Sequence, residues 1–331
     1  VETVVTVINP QNGIEISASR AMLWAQTRKL CRVLVVNRID AERLDFAQVV
    51  TDLQATFGRE CLPINLPADQ CARVIDCFFN PSGEATDFSS IEEAHRAIVE
   101  QIVEVDEALM ERYLGGEEIE AEALHAAFER ALREGHLIPI LFSSARTGAG
   151  LAELLNFIVK LAPNPLEGNP PLFEKWPGGD ADGAEPLVVS HDKAAHVIAH
   201  VFKVEVDPYM GKVGTLRVLQ GTLTPDSMVY VGEARKPVRV AHLYAVQGKQ
   251  LLPIPSAGPG EICAVTKMEE LVFDAVLHDA PEDAVIHFRP LHFPHAVYGL
   301  AVRVKRKGDE QKLAEVLHRL SADAAQGVAA H

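Results

Sequence analysis

The chain has 331 residues, 48% of them hydrophobic and 23% charged, which is room for two or three ordinary globular domains. Its formal net charge of −15 excludes non-specific coating of nucleic acid, because phosphate binding needs clustered Lys and Arg; it leaves room for a large RNA met at local basic patches. No apolar run approaches the roughly 18 residues of a membrane span, so no membrane is expected as a partner, and with this charge no DNA either.

The first 162 residues alternate strand and helix patterns, as in an α/β layer. Val1–Asn9 is a Val- and Thr-rich strand with no basic leader and no Met. A chain that starts inside such a strand is expected to be cut from a longer one. A turn at Gln11-Asn12-Gly13 and a helical stretch to Leu30 follow. Cys31–Val36 is an apolar strand of the kind buried on both faces of a parallel sheet, and Asp45–Phe57 has helical spacing. Cys61–Phe79 reads as two strands joined at Pro67-Ala68-Asp69. Ser89–Leu114 and Glu118–Glu134 read as acidic amphipathic helices, whose polar faces are solvated or dock a basic partner. His136–Phe142 returns to the sheet, and Leu151–Leu161 closes the region as a helix stopped by Pro163.

Residues 163–188 are rich in Pro and Gly and read as a linker. From 189 to 283 the texture is all-β. Short strands at Val197–Val206, Gly214–Leu219, Met228–Val231, Val238–Tyr244 and Glu261–Thr266, separated by turn signals, predict a small antiparallel barrel. From 284 a third, incomplete domain begins, with a strand at Val297–Lys305 and a helix after Gly308-Asp309. The five cysteines are odd in number and lack C-x-x-C spacing, so buried, reduced thiols in a cytoplasmic protein are expected, not a metal site or a disulfide framework.

Two motifs carry chemistry. Asn37-Arg38-Ile39-Asp40 follows the buried strand directly, where ligands of open α/β sheets bind. An Asp there can accept two parallel hydrogen bonds from the N1–H and exocyclic amine of guanine, which adenine does not offer in that arrangement. Asn37 can support the ring nitrogen and tie neighbouring loops, and Arg38 can lie over the purine face. The plainer alternative is a polar turn with Asp40 capping the next helix. Ser143-Ser144-Ala145 follows the later strand; small residues there let a backbone N–H approach the guanine O6, or simply make a Ser-rich turn.

In this order and context the first motif resembles the fourth GTPase motif, Asn-Lys-x-Asp, and Ser144-Ala145 resembles the fifth. A βαβ unit needs only about 30 residues, and here about a hundred separate the two motifs. An insertion in that place, matched at Cys61–Pro67 and Glu104–Leu114, resembles elongation factor G. Asp207–Lys212 and Arg217–Leu223 resemble its second domain, Phe293–Tyr298 and Lys307–Leu313 the start of its third.

The resemblance implies a fold of partial P-loop GTPase α/β domain with an α+β insertion at about 61–137, then a translation-factor β-barrel, then the beginning of a ferredoxin-like domain. It implies GTP/GDP as ligand at Asn37, Arg38, Asp40, Ser144 and Ala145, Mg²⁺ in the intact protein, the ribosome as partner, translocation as the task, and a cytoplasmic setting. Ribosomal-protection or release-factor GTPases, and a non-catalytic ribosome-binding module, remain alternatives. Arg38 in place of Lys, and Val272–Leu277, mark a divergent branch. The phosphate loop G-x-x-x-x-G-K-[ST] is absent from the sequence, and the formal D-x-x-G at Asp180–Gly183 falls in the linker. The chain is therefore expected to contain no catalytic residue, to hold no metal and not to hydrolyse GTP. Without upstream strands, Val1–Asn9 is expected to lie on an open sheet edge.

Overall fold

The computed structural model describes residues 1–83, 85–117, 119–169, 173–177, 183–207, 209–289, 300–306 and 308–323, the last six of these as backbone only. The chain divides into two compact units, Val1–Asn169 and Pro170–His331.

The first unit runs β1 (Thr3–Ile8), α1 (Ile16–Thr27), β2 (Cys31–Val36), α2 (Phe46–Phe57), β3 (Cys61–Pro63), β4 (Asn65–Ala68), β5 (Arg73–Asp76), α3 (Ile91–Val103), α4 (Glu107–Leu114), α5 (Ala121–Glu134), β6 (Ile138–Phe142) and α6 (Leu151–Lys160). Its main sheet has the order β1-β2-β6-β3, and every neighbouring pair is parallel. All six residues of β2 are buried. The reason is the period of two. Val33 and Val35 pack with Ile98, Ile102, Phe128 and Leu132 of α3 and α5 on one face. Leu34 and Val36 pack with Met22 and Leu53 of α1 and α2 on the other. Burying each such side chain contributes about 1.5–3 kcal/mol. β1 lies at one end of the sheet, with β2 as its one strand neighbour among the described residues.

Local chemistry departs from the expected elements in two places. Cys61–Phe79 forms three strands, because the chain leaves β6 after Pro63 and turns into the β4–β5 hairpin, whose bend lies at Asp69–Ala72. Ser89–Leu114 is two helices. Asp106 interrupts it, its carboxylate accepting from the N–H groups of Ala108 at 3.0 Å and Leu109 at 3.1 Å and so capping α4.

The second unit contains β7 (Phe173–Lys175), β8 (Glu185–Leu187), β9 (Ile198–Asp207), β10 (Gly211–Gln220), β11 (Met228–Val231), β12 (Val238–Arg239), β13 (His242–Gln247), β14 (Gln250–Pro253), β15 (Ile262–Thr266), β16 (Val276–His278), β17 (Ile286–Phe288) and α7 (Glu310–Asp323). Eight strands form one antiparallel, barrel-like sheet in the order β12-β11-β16-β9-β10-β15-β13-β14. Val201, Leu216, Val218, Val229, Leu243 and Val265 fill its interior. The stretch read as a linker supplies β7 and β8; β7 pairs with β8 on one side and β17 on the other in a second small sheet. The expected strand at Val297–Lys305 is corrected: Leu300–Lys305 carries none, and 297–299 lie outside the described residues. So do Phe293–Tyr298, Asp180–Asp182, Lys307 and the tail 324–331. The described part of the third region therefore holds β17, which joins β7, and the helix α7, with no sheet of its own among the described residues.

Candidate guanine-reading site

Both predicted loops leave the carboxyl end of the sheet, from the neighbouring parallel strands β2 and β6. Asn37 follows β2, and its N–H donates to the Ile8 carbonyl at 2.9 Å, extending the β1–β2 ladder by one residue. Ser143 follows β6, and its N–H donates to the Val36 carbonyl at 2.9 Å. The Ile39 N–H then donates to the Ser143 carbonyl at 3.2 Å. Ile39 is buried among the residues that α1 and α2 cover, so it pins the first loop from below. Arg38, the exposed residue before it, has a left-handed backbone with φ 65°. That turn lets a buried residue follow an exposed one and leaves the Arg38 stem on the surface.

The side chains then tie the loops together. Asn37 Oδ1 accepts from the Ala145 N–H at 2.9 Å. The Ser144 hydroxyl donates to Asp40 Oδ1, and accepts from the Thr147 N–H at 3.2 Å. The second loop is closed by its own backbone: Ser144 N–H to the Ala149 carbonyl and Gly148 N–H to the Ser144 carbonyl, each 2.8 Å. Ser144 is fully buried. Four of the five expected site residues are thus in direct contact, and Arg38 stands beside them without sharing in those bonds.

Asp40 is the charged centre. The hydroxyl donated by Ser144 holds its carboxyl below the ordinary carboxylate value, and the nearby Arg146 guanidinium lowers it further. Arg146 pairs with Asp40 Oδ2. The carboxylate therefore carries one fixed donor on one oxygen and a solvent-exposed cation on the other. Chemically this is a preorganised acceptor: it stays ionised, its orientation is set by Ser144, and the side held by Arg146 can be exchanged for two N–H donors of a base. The Ala145 amide, by contrast, already donates to Asn37.

Beside the first loop, a groove of about 360 Å³ runs along β1 from Val4 to Asn9 and past Glu15 and Ser17 to Asn37 and Arg38. The residues 37–40 and 143–145 were legible as motifs. Ile39 lies inside the first motif and Arg146 next to the second, and neither carries a polar-pattern signal of its own. An apolar residue between polar ones, and an Arg following the small residues, are the marks by which sequence could have found them.

The parallel sheet with its polar loops, joined in sequence to a barrel-like antiparallel domain, has the domain order expected of a translation-factor GTPase. Residues 1–164 match the family described as elongation factor Tu GTP binding domain, and residues 196–276 match elongation factor G domain 2. The elongation factor G-like protein of Thermotoga maritima is 30% identical, with 97% of this chain and 47% of the relative covered. The elongation factor G-like protein of Mycobacterium tuberculosis CDC 1551 is 31% identical over 91% of this chain and 45% of the relative. A crystal structure of a Thermus thermophilus protein superposes with a TM-score of 0.76 at 30% identity, covering 98% of this chain and 47% of that one. The chain belongs to the elongation factor G-like translational GTPases. It spans about half the length of the curated relatives it matches.

Proposed function

We propose that the loops 37–40 and 143–145 read the guanine base of GTP and GDP in a ribosomal GTPase of the translocase type. The observation that carries this reading is the direct bonding of the two loops, Asn37 to Ala145 and Asp40 to Ser144, at the carboxyl ends of neighbouring parallel strands. Asp40 accepts the guanine N1–H and exocyclic amine in place of Arg146, Asn37 faces the ring nitrogen, and the Arg38 stem covers the purine. Adenine presents an acceptor where Asp40 needs a donor and is rejected.

Phosphate binding, Mg²⁺ and hydrolysis are assigned to the whole protein, because phosphoryl transfer rests on a phosphate loop that the present sequence does not contain. The ribosome is the partner and the cytoplasm the setting, on the ground that the two matched families are translation factors. Ligand-observed NMR of the 331-residue chain with guanosine and GDP against adenosine and ADP tests the base reading. Saturation transfer to the guanine compounds alone supports it; equal transfer to both, or to neither, refutes it. Phosphate release from GTP at the rate of a complete translational GTPase would refute the division of labour.

A further inference from the structure

We infer that Asn65, in the hairpin inserted between the two motifs, is a positioning residue for the Ser143–Ala145 loop. In a parallel sheet both backbone groups of a given residue point to the same neighbour, and alternate residues point to opposite neighbours. Along β6, Ile138, Ile140 and Phe142 face β3. The Ile138 N–H donates to the Glu60 carbonyl at 2.8 Å, and the Ile64 N–H donates to the Ile140 carbonyl at 3.0 Å. The next residue in that series is Phe142, the last of β6. By then the β3 chain has turned away into β4, and among the described residues β3 offers no further backbone pair beyond Pro63–Ile140.

The Asn65 side chain fills that place. Its Oδ1 accepts from the Phe142 N–H at 2.7 Å, and its Nδ2 donates to the Phe142 carbonyl at 3.3 Å. One carboxamide thereby stands in for a strand residue, with one acceptor and one donor in the order the ladder requires. Asn65 and Phe142 are both buried, so without this amide two main-chain groups would lose their partners out of reach of water. Phe142 immediately precedes Ser143, which bonds to the first loop, and Ser144, which orients Asp40.

The surroundings leave the strand end few alternatives. The Phe142 ring is packed edge-on by Phe46, at 5.5 Å between centroids, and by Phe88, at 5.4 Å. A Cβ on Gly150 would stand 2.3 Å from the Phe142 carbonyl oxygen. The insertion is thus wired to the base-reading loop through one buried side chain. The relevance of that loop to guanine rests on the reading given above; the ordering of the loop by Asn65 does not.

The test is hydrogen exchange by mass spectrometry on the full chain, with Asn65→Leu and Asn65→Asp. Asn65→Leu keeps the size and removes both bonds. It is expected to raise exchange at amides 142–147 by about tenfold or more, while peptides from β1 and from the second unit keep their wild-type rates. No change at 142–147, or an equal rise throughout the first unit, overturns the inference. Asn65→Asp covers the case in which the leucine variant fails to fold. As a neutral acid it retains one donor and one acceptor; as a carboxylate it confronts the Phe142 carbonyl. Its protection factors at 142–147 should equal wild type in acid and fall as the buried acid ionises, and pH-independent protection overturns the inference. Guanosine-over-adenosine selectivity should fall in Asn65→Leu. If the wild-type chain has no such selectivity, the guanine reading fails, and the exchange data still decide the role of Asn65.

Discussion

Replacing Gly150 with alanine requires a methyl group where the Phe142 carbonyl already stands. The added carbon would lie 2.3 Å from that oxygen, 3.0 Å from Ser143 Cα and 3.1 Å from Val74 Cγ2, at a backbone φ of +76°. Two costs follow. The left-handed backbone costs a non-glycine residue about 1–2 kcal/mol. The overlap adds about 1–3 kcal/mol more, the usual cost of overpacking, because the carbonyl must retreat from 2.3 Å to beyond 3.0 Å and the Asn65 amide loses its acceptor.

Gly148 provides the control. Its φ is +88°, but a Cβ there meets nothing within 4 Å. Gly148→Ala therefore carries the backbone cost alone. For a unit of this size about 2–4 °C of melting temperature accompanies each kcal/mol. Calorimetry should show the transition of the first unit lowered by roughly 2–8 °C in Gly148→Ala and by roughly 4–20 °C in Gly150→Ala. Equal shifts in the two variants, or a neutral Gly150→Ala, would refute the close approach of Gly150 to the strand end.

Burial pushes the thiols of Cys61, Cys77 and Cys263 up to about 12, and those of Cys31 and Cys71 up to about 11. Alkylation near pH 8 should therefore be slow for all five in the native chain, with the half-buried Cys71 reacting first, and fast for all five in denaturant; a native Cys61 reacting at the unfolded rate would contradict its burial. Because these folded values lie above the ordinary 9.0, their contribution is fully present below that pH and is lost as pH rises toward the folded values, so denaturant midpoints should fall progressively above about pH 9. Asp40 has the opposite sign. Its folded value lies below the ordinary 3.8, so its contribution is present above that pH and lost as pH falls through the lowered value; Ser144→Ala should move the acid loss to higher pH, and an unchanged acid limb would show that the hydroxyl does not hold the carboxylate.

The strand-and-helix alternation of the first unit was legible because its strands are apolar on both faces and its helices keep one apolar stripe. Cys31–Val36 is legible as a central strand because five of its six positions are apolar, broken only by Arg32, a run that calls for burial on both faces. What sequence did not disclose are features set by a few side-chain bonds. Asp106 splits one apparent helix into two by capping the second, a choice that periodicity cannot register. The strands β7, β8, β14, β16 and β17 are three or four residues long, too short for an alternation to stand out. At the site, Asn37, Asp40, Ser144 and Ala145 were readable as a pattern of residue types. Arg146 and Asn65 act through contacts across long sequence separations, Asn65 to Phe142 over 77 residues, and such contacts leave no local mark.

The proposed base-reading role stands most directly on Asp40, proposed as the acceptor of the guanine N1–H and exocyclic amine. Xanthine carries a carbonyl where guanine carries that amine, so Asp40→Asn, which offers a donor there, should bind xanthosine diphosphate in preference to GDP. Competition titrations of the wild-type and Asp40→Asn chains with both nucleotides measure this. The predicted result is an inversion of the ratio, with GDP weakened by about 5- to 150-fold, the worth of one bidentate base contact. A GDP-to-xanthosine-diphosphate ratio unchanged by the substitution would contradict that role at its centre.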